Sequence, residues 1–182
     1  MLYHKGTQTI ETERLKLRRF TVKDAEDMYN NWANDDKVTE CLSWPTHKSI
    51  DTTRKILESW MESYDKDDTY SWAITYKEDN IVIGSIGVVS LNNQHESCSI
   101  GYCIGRNFWG RGITTEAFKE IIQFLLYEVG FERIEAYHHT DNPASGNVMK
   151  KAGLLFEGTL RHYRKNIRGK FVDCDLYGII KK

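Results

Sequence analysis

The sequence predicts a mixed α/β fold of the α+β-like kind. It reads as a single domain over residues 1–182, core at about 10–180, with a central twisted, mostly antiparallel sheet of about seven strands and about four helices. Three observations predict it. Between residues 70 and 104, three alternating apolar segments follow one another across short polar links, which makes an antiparallel meander. Directly after them, residues 113–126 carry a wide helical apolar stripe. The rest of the chain then alternates strand, helix and a long hairpin, so the element order is β-α-α-β-β-β-α-β-α-β-β.

Each element has a local reason. Residues 13–19 alternate polar and apolar and form the first strand. Thr21 opens a polar helix to about Trp32, with Asp24 as the acidic half of a capping pair. Residues 33–47 read as loop, through Asn34-Asp35-Asp36 and Ser43-Trp44-Pro45-Thr46-His47. A second helix follows Ser49, with Ile50, Ile56, Leu57, Trp60, Met61 and Tyr64 as its apolar face. Tyr70, Trp72, Ile74 and Tyr76 alternate along the next strand. Ile81 to Val89 is a more buried one, and Cys98, Ile100, Tyr102 and Ile104 mark the third of the meander. In the long helix, Ile113, Ala117, Ile121 and Leu125 form one row, Phe118, Ile122 and Leu126 the next, and Gly130 caps the C-terminus. Arg133 to His139 is a strand. Asn142 and Pro143 then open the last helix as N-cap and first helical residue, with Ala144, Val148 and Ala152 on its inner face. Residues 154–164 and 170–180 close a hairpin around Asn166-Ile167-Arg168-Gly169.

Composition narrows the function. A net charge of −1 gives bulk electrostatics no pull on nucleic acid. No apolar run approaches the ~18 residues of a membrane span, and the first residues lack the apolar core of a signal peptide. The cysteines at 41, 98, 103 and 174 have neither zinc nor redox spacing. Isolated cysteines of this kind are small core residues kept reduced, which points to the cytoplasm and to no metal.

Residues 109–117, Trp-Gly-Arg-Gly-Ile-Thr-Thr-Glu-Ala, join the meander to the long helix. Gly110 and Gly112 let the backbone approach a ligand and aim helix N-terminal N–H groups at it, as an anion site requires. The run is not the G-x-x-x-x-G-K-[ST] of a phosphate-binding P-loop. It also departs from the dinucleotide fingerprint, because Thr115 stands at the third glycine and an antiparallel meander precedes it. An ordinary tight turn capping a helix stays open on this stretch alone.

A second block follows about 30 residues later: Asn142-Pro143-Ala144-Ser145, then Val148, Lys151 and Gly153-Leu154. Together the two blocks resemble the GNAT N-acetyltransferase superfamily. More narrowly they resemble its RimJ/RimL branch, which acetylates ribosomal-protein N-termini. The likeness covers nearly the whole chain: residues 12–18 match that branch's opening strand, Ile100-Gly101-Tyr102 the end of its fourth, and residues 157–161 and 173–180 its closing strands.

The resemblance implies acetyl-CoA as cosubstrate, with no metal. The loop matching Gly110, Arg111, Gly112, Ile113 and Thr114 cradles the pyrophosphate, and the strand end matching Cys103, Ile104 and Gly105 pairs with the pantetheine arm. Asn142 matches a residue that contacts the arm from the far side. Ser145 matches one near the thiol, which is a candidate to protonate the departing thiolate and equally a solvated first-turn serine. Two positions depart from the pattern. Asn107, beside Arg106, stands where relatives carry Gln or Arg. Ser99 stands where many carry a Glu that serves as base. Glu96 and Glu135 are the candidate substitutes. Of His138 and His139, alternation lets at most one face the site.

The chemistry implied is attack of a neutral amine on a thioester, with a backbone N–H near Ile104 to hold the oxyanion. An α-amine, of pKa about 7.7–8.0, needs less help in losing its proton than a lysine at about 10.4. Trp44 and His47 are the candidate acceptor-binding residues, while Trp32 reads as core. The basic residues between Lys150 and Lys170 offer a partner for the 3′-phosphate of the cofactor, for an acidic partner, or simply a solvated hairpin face. The expected partners are acetyl-CoA and a protein N-terminus or small amine, with a homodimer left open. A small-molecule acetyltransferase and a non-catalytic acetyl-CoA sensor are the alternatives.

Overall fold

The computed structural model describes residues 1–182. Its strands are β1 (Ile10–Glu11), β2 (Leu15–Arg18), β3 (Ser71–Tyr76), β4 (Val82–Asn92), β5 (Ser97–Ile104), β6 (Arg133–His139), β7 (Leu155–Lys165) and β8 (Phe171–Ile180). Its α-helices are α1 (Ala25–Met28), α2 (Asp36–Thr39), α3 (Ile50–Ser63), α4 (Ile113–Gln123) and α5 (Pro143–Lys151). The eight strands form one sheet in the order β1-β2-β3-β4-β5-β6-β8-β7. Every neighbouring pair is antiparallel except β5 and β6.

Two apolar clusters cover the two faces. On one face α4 buries Ile113, Ala117, Phe118, Ile121 and Ile122, the π turn after it (Phe124–Val129) buries Leu125, and α5 buries Met149, against Trp72, Ile74, Ile86, Ile100 and Ile134. On the other, Phe20, Met28, Trp32 and Leu57 pack over Ala73, Val82 and Cys103. Both residue sets of β3 are therefore buried, Trp72 and Ile74 on one side and Ala73 on the other. The two stripes expected on the long helix are fully inside, as 3.6-residue periodicity requires.

Several local expectations need correction. The sheet has eight strands rather than seven, because Ile10–Glu11 pairs with β2 and is too short to show a period. The segment after Thr21 is not one regular helix: a 3₁₀ turn (Val22–Asp24), α1 and a π turn (Tyr29–Ala33) follow in series. The Asp24 carboxylate accepts the Thr21 backbone N–H at 2.7 Å, the expected cap. Inside the expected loop lies the single turn α2, started by Asp35, whose side chain accepts the Lys37 N–H. On α3, Ile56 and Met61 are exposed and Thr53 is buried, so the inner face runs Thr53, Leu57, Tyr64. On α5, Ala144 is exposed, and Gly146, Met149 and Ala152 face inward.

Candidate active site

The site begins where the one parallel pair comes apart. β5 and β6 are in register only at Ser97, Cys98 and Ser99 against Arg133, Ile134 and Glu135. Beyond that, β5 stays with β4 as far as Ile104, and β6 stays with β8 as far as His139. The halves diverge because each follows its own antiparallel partner, leaving a wedge with backbone on both walls. An extended ligand arm fits such a gap by adding to a strand edge.

At the open end, β5 runs into the glycine stretch. Gly105 lies so close to the π turn that a Cβ would stand 2.6 Å from the Asn31 carbonyl. A 3₁₀ turn, Arg106–Phe108, follows, and the Trp109 indole N–H donates back to the Ile104 carbonyl at 3.0 Å. Gly110 and Gly112 have φ of +75° and +74°, the left-handed region that only glycine enters at little cost. Gly112 is the N-cap of α4, whose first bond runs from the Glu116 N–H to the Gly112 carbonyl at 3.0 Å. The N–H groups of Ile113, Thr114 and Thr115 thus precede the first helical bond and have no acceptor within the helix. A Cβ on Gly110 would meet nothing within 4 Å, and one on Gly112 only the Arg14 guanidinium at 3.8 Å. Both glycines are thus uncrowded, as the close approach of a pyrophosphate to a helix start requires.

The loop is held from behind by a pair that the sequence reading missed. The Arg14 guanidinium donates to the Glu116 carboxylate at 2.7 Å and to the Arg111 carbonyl at 3.2 Å. Glu116 also accepts from the Arg14 N–H at 3.0 Å and from the Thr12 hydroxyl. Burial alone would raise the Glu116 pKa, but these hydrogen bonds outweigh it and hold the carboxyl below its ordinary range. Residues a hundred apart in sequence leave no local trace of such a clamp. Beside it, Gly112, Thr115, Glu116, Lys119 and Lys151 line a recess of about 370 Å³. Of the basic stretch, Lys151 is the residue that reaches this recess. Arg164 instead stacks over Tyr163 and Tyr137 on the hairpin.

Ser145 stands at the wedge. Its hydroxyl lies 2.9 Å from the Tyr102 hydroxyl, and Tyr102 also reaches the Ser145 carbonyl at 2.9 Å. The phenol donates to the carbonyl and the serine hydroxyl to the phenol oxygen, so β5 and α5 are joined across the gap by two dipoles in series. Burial pushes the Tyr102 pKa up, so the phenol keeps its proton. The sequence marked Tyr102 as an alternating core residue and as part of the Ile100-Gly101-Tyr102 likeness, without a role. His138 lies under the next residue of α5: a Cβ on Gly146 would collide with its Nε2. His138 stacks on Tyr177, its Nδ1 lies 2.7 Å from the His139 carbonyl, and its Nε2 has no hydrogen-bond partner. His139 projects to the opposite face, as alternation requires.

Other expected residues fall elsewhere. Asn142 begins α5, but its side chain does not cap the helix. Pro143 has no N–H, which leaves the helix one donor fewer to satisfy. Glu96 belongs to the turn before β5, where it pairs with the Met1 ammonium at 2.9 Å. The whole of β5, roughly 25 Å of strand, lies between it and the glycine loop. The Met1 ammonium thus occupies the Glu96 carboxylate, three residues before the vertex at Ser99. Glu135 is at the vertex of the wedge, opposite Ser99, with Arg133 3.2 Å from its carboxylate. Ser99 is 4% exposed and its hydroxyl has no partner. His47 does not line an open groove. Its ring is buried, Nδ1 lies 2.8 Å from the Thr53 hydroxyl, and burial lowers its pKa. Trp44 lies over it at 4.9 Å, half-buried. Cys103 faces Ser85, with its thiol pushed up to about 11 by burial, so only its backbone is available to a ligand.

The segment expected to be plain loop forms the other rim. Asp35 pairs with Arg106 at 3.0 Å, and both line an open polar recess of about 420 Å³ with Asn30, Asn31 and Asn107. Glu40 reaches Arg168 of the β7–β8 turn at 3.5 Å.

A sheet parted at one parallel pair, with a glycine-rich helix start at its open end, defines an acyltransferase that takes its acyl group from coenzyme A. The acetyltransferase (GNAT) domain model matches residues 14–155. The uncharacterized N-acetyltransferase YoaA of Bacillus subtilis is 31% identical over 172 residues, 94% of this chain and 96% of that protein. The ribosomal-protein-serine acetyltransferase of Escherichia coli is 26% identical over 180 residues, 96% of this chain and 97% of that one. The microcin C7 self-immunity acetyltransferase MccE, solved with acetyl-CoA and AMP, superposes with a TM-score of 0.83 at 23% identity, over 92% of this chain and 93% of its own. The chain belongs to the GNAT family of acetyltransferases. It is an N-acetyltransferase, and its acetyl donor is acetyl-CoA.

Proposed function

We propose that this acetyltransferase acts on protein N-terminal α-amines, of the ribosomal-protein type, in the cytoplasm. The observation that carries the reading is the make-up of the vertex. Ser99 occupies the strand position of a would-be carboxylate, and the acid opposite it, Glu135, shares the Arg133 guanidinium with Glu157. Such a site suits an amine that is already largely neutral near pH 8, as an α-amine is and a lysine is not. The whole-length likeness to a ribosomal-protein-serine acetyltransferase supports the same acceptor.

In this reading the loop from Gly110 to Thr114 binds the pyrophosphate through backbone N–H groups, with Arg111 lending its charge. The strand end from Cys103 to Gly105 and the side chain of Asn142 flank the pantetheine arm. The amine nitrogen attacks the thioester carbon while a backbone N–H of β5 near Ile104 holds the oxyanion. The nitrogen gives up its proton to Glu135 through a water held at the free Ser99 hydroxyl. As the carbon–sulfur bond breaks, the Ser145 hydroxyl, held until then by Tyr102, turns to the sulfur, gives the thiolate its proton and recovers one from solvent.

The test is a thiol-release assay over N-terminal peptides, lysine peptides, polyamines and aminoglycosides. Turnover on α-amine peptides, well above the rest, is expected. Turnover only on small amines would refute the protein acceptor, and binding of acetyl-CoA with no turnover would make the chain a sensor.

A further inference from the structure

Cys41, His139 and Asp141 meet on the acceptor side of the site. We infer that they form a binding site for a divalent transition cation, Zn²⁺ in the cell, which ties the segment after α2 to the β6–α5 turn. Their ligand atoms, a thiol sulfur, an imidazole nitrogen and a carboxylate oxygen, all lie within 4.8 Å of one another. Around a tetrahedral ion at about 2.0–2.3 Å from each ligand they would stand roughly 3–4 Å apart. The closure left is within the rotamer range of Asp141, which is exposed, and of Cys41, half-buried on an irregular segment.

The donor set is chemically selective. Sulfur and imidazole disfavour Mg²⁺ and Ca²⁺, which take oxygen ligands, and favour a borderline-soft ion. Three protein ligands leave a fourth tetrahedral position to water. Cys174 is the β8 residue directly opposite His139, fully buried, so a second sulfur backs the histidine on the same face.

The site has a mechanical reading. A bound cation would join Cys41, which follows α2, to His139 at the end of β6 and to Asp141 in the turn after it. It would hold the acceptor rim against the wedge. Nothing in this depends on which amine the enzyme acetylates, and the readouts below are of metal binding, so their failure leaves the acceptor assignment untouched.

Co²⁺ serves as the optical probe and Zn²⁺ as the competing ion. One equivalent of Co²⁺ added to the full-length protein under reducing conditions should produce a thiolate-to-metal charge-transfer band, which Zn²⁺ displaces. Zn²⁺ should also raise the melting temperature. Both effects should vanish in Cys41→Ser, and Zn²⁺ affinity measured against a chromophoric chelator should fall at least about 10-fold in His139→Asn and Asp141→Asn. Metal-free melting curves establish that the variants are folded, and the two exposed-side variants decide the matter if Cys41→Ser is not. No charge-transfer band, a band that persists in Cys41→Ser, or unchanged Zn²⁺ affinity in both His139→Asn and Asp141→Asn would overturn the site.

Discussion

Gly112→Asp puts the phosphate cradle to a quantitative test. Gly112 sits at φ +74°, so any L side chain there carries left-handed strain of about 1 kcal/mol. For a chain of this length that lowers the melting temperature by about 2–4 °C. No steric term is added in the free protein, because the new Cβ meets only the Arg14 guanidinium at 3.8 Å. Arg14 is already engaged by Glu116 and by the Arg111 carbonyl, so it offers the new carboxylate little neutralisation. Against a pyrophosphate charge at about 4 Å, the aspartate costs about 1 kcal/mol if the loop behaves as water and about 4 kcal/mol at an effective dielectric of 20. The loop is solvated on one side and backed by protein on the other. An intermediate cost of about 2 kcal/mol, or roughly 30-fold in coenzyme A affinity, is expected. Gly112→Asn supplies the control, since it has the same shape, tolerates the left-handed region and carries no charge. Titration calorimetry of both variants with coenzyme A at low and high salt isolates the charge, whose effect should shrink as salt screens it. Equal affinities of the Asp and Asn variants would refute the cradle.

Ser145→Ala should lower kcat about 100-fold with little change in KM, the low end for a general acid because a thiolate leaves readily, and Tyr102→Phe should lower it less; an unaltered kcat in Ser145→Ala removes the hydroxyl from the mechanism. Glu135→Gln should slow acetylation of an α-amine peptide most below about pH 7.7, where the amine still holds its proton, and a deficit equal at every pH would count against a base. Glu116→Gln should cost about 1–2 kcal/mol in denaturant unfolding and weaken coenzyme A binding, since it loosens the Arg14 clamp; binding unchanged would show the clamp to be idle. The folded Glu116 pKa lies below 4.5, so its contribution is present above that pH and is lost as pH falls through the folded value. His47 has a folded pKa below its ordinary 6.5, so the unfolded chain takes up a proton first and stability declines as pH drops below about 6.5. In His47→Gln, melting temperatures between pH 7 and 5 should decline less steeply, and an identical slope would contradict the buried neutral imidazole.

What could be read from the chain was what neighbours in sequence decide. The stripe through Ile113, Ala117, Ile121 and Leu125, the alternation from Arg133 to His139 and the glycines at 110 and 112 each report a local geometry, because helix period, strand period and left-handed φ are set within a few residues. The mixed sheet and the family followed from their order. The short pieces escaped for the same reason: Ile10–Glu11 and α2 span less than one detectable period. The candidate base shows the limit from the other side. Glu96 and Glu135 looked alike as strand carboxylates, yet one faces the Met1 ammonium beyond the far end of β5 and the other lies at the vertex of the wedge.

The wedge itself, the Tyr102–Ser145 bridge, the clamp from Arg14 to Glu116 and the meeting of Cys41 with His139 and Asp141 were decided only by the tertiary structure. Each joins residues tens to about a hundred positions apart, and no local propensity encodes such a distance. The glycine stretch determines by itself that an anion can be held. Where strands part, and what the parting brings together, is settled by how β5 keeps to β4 while β6 keeps to β8.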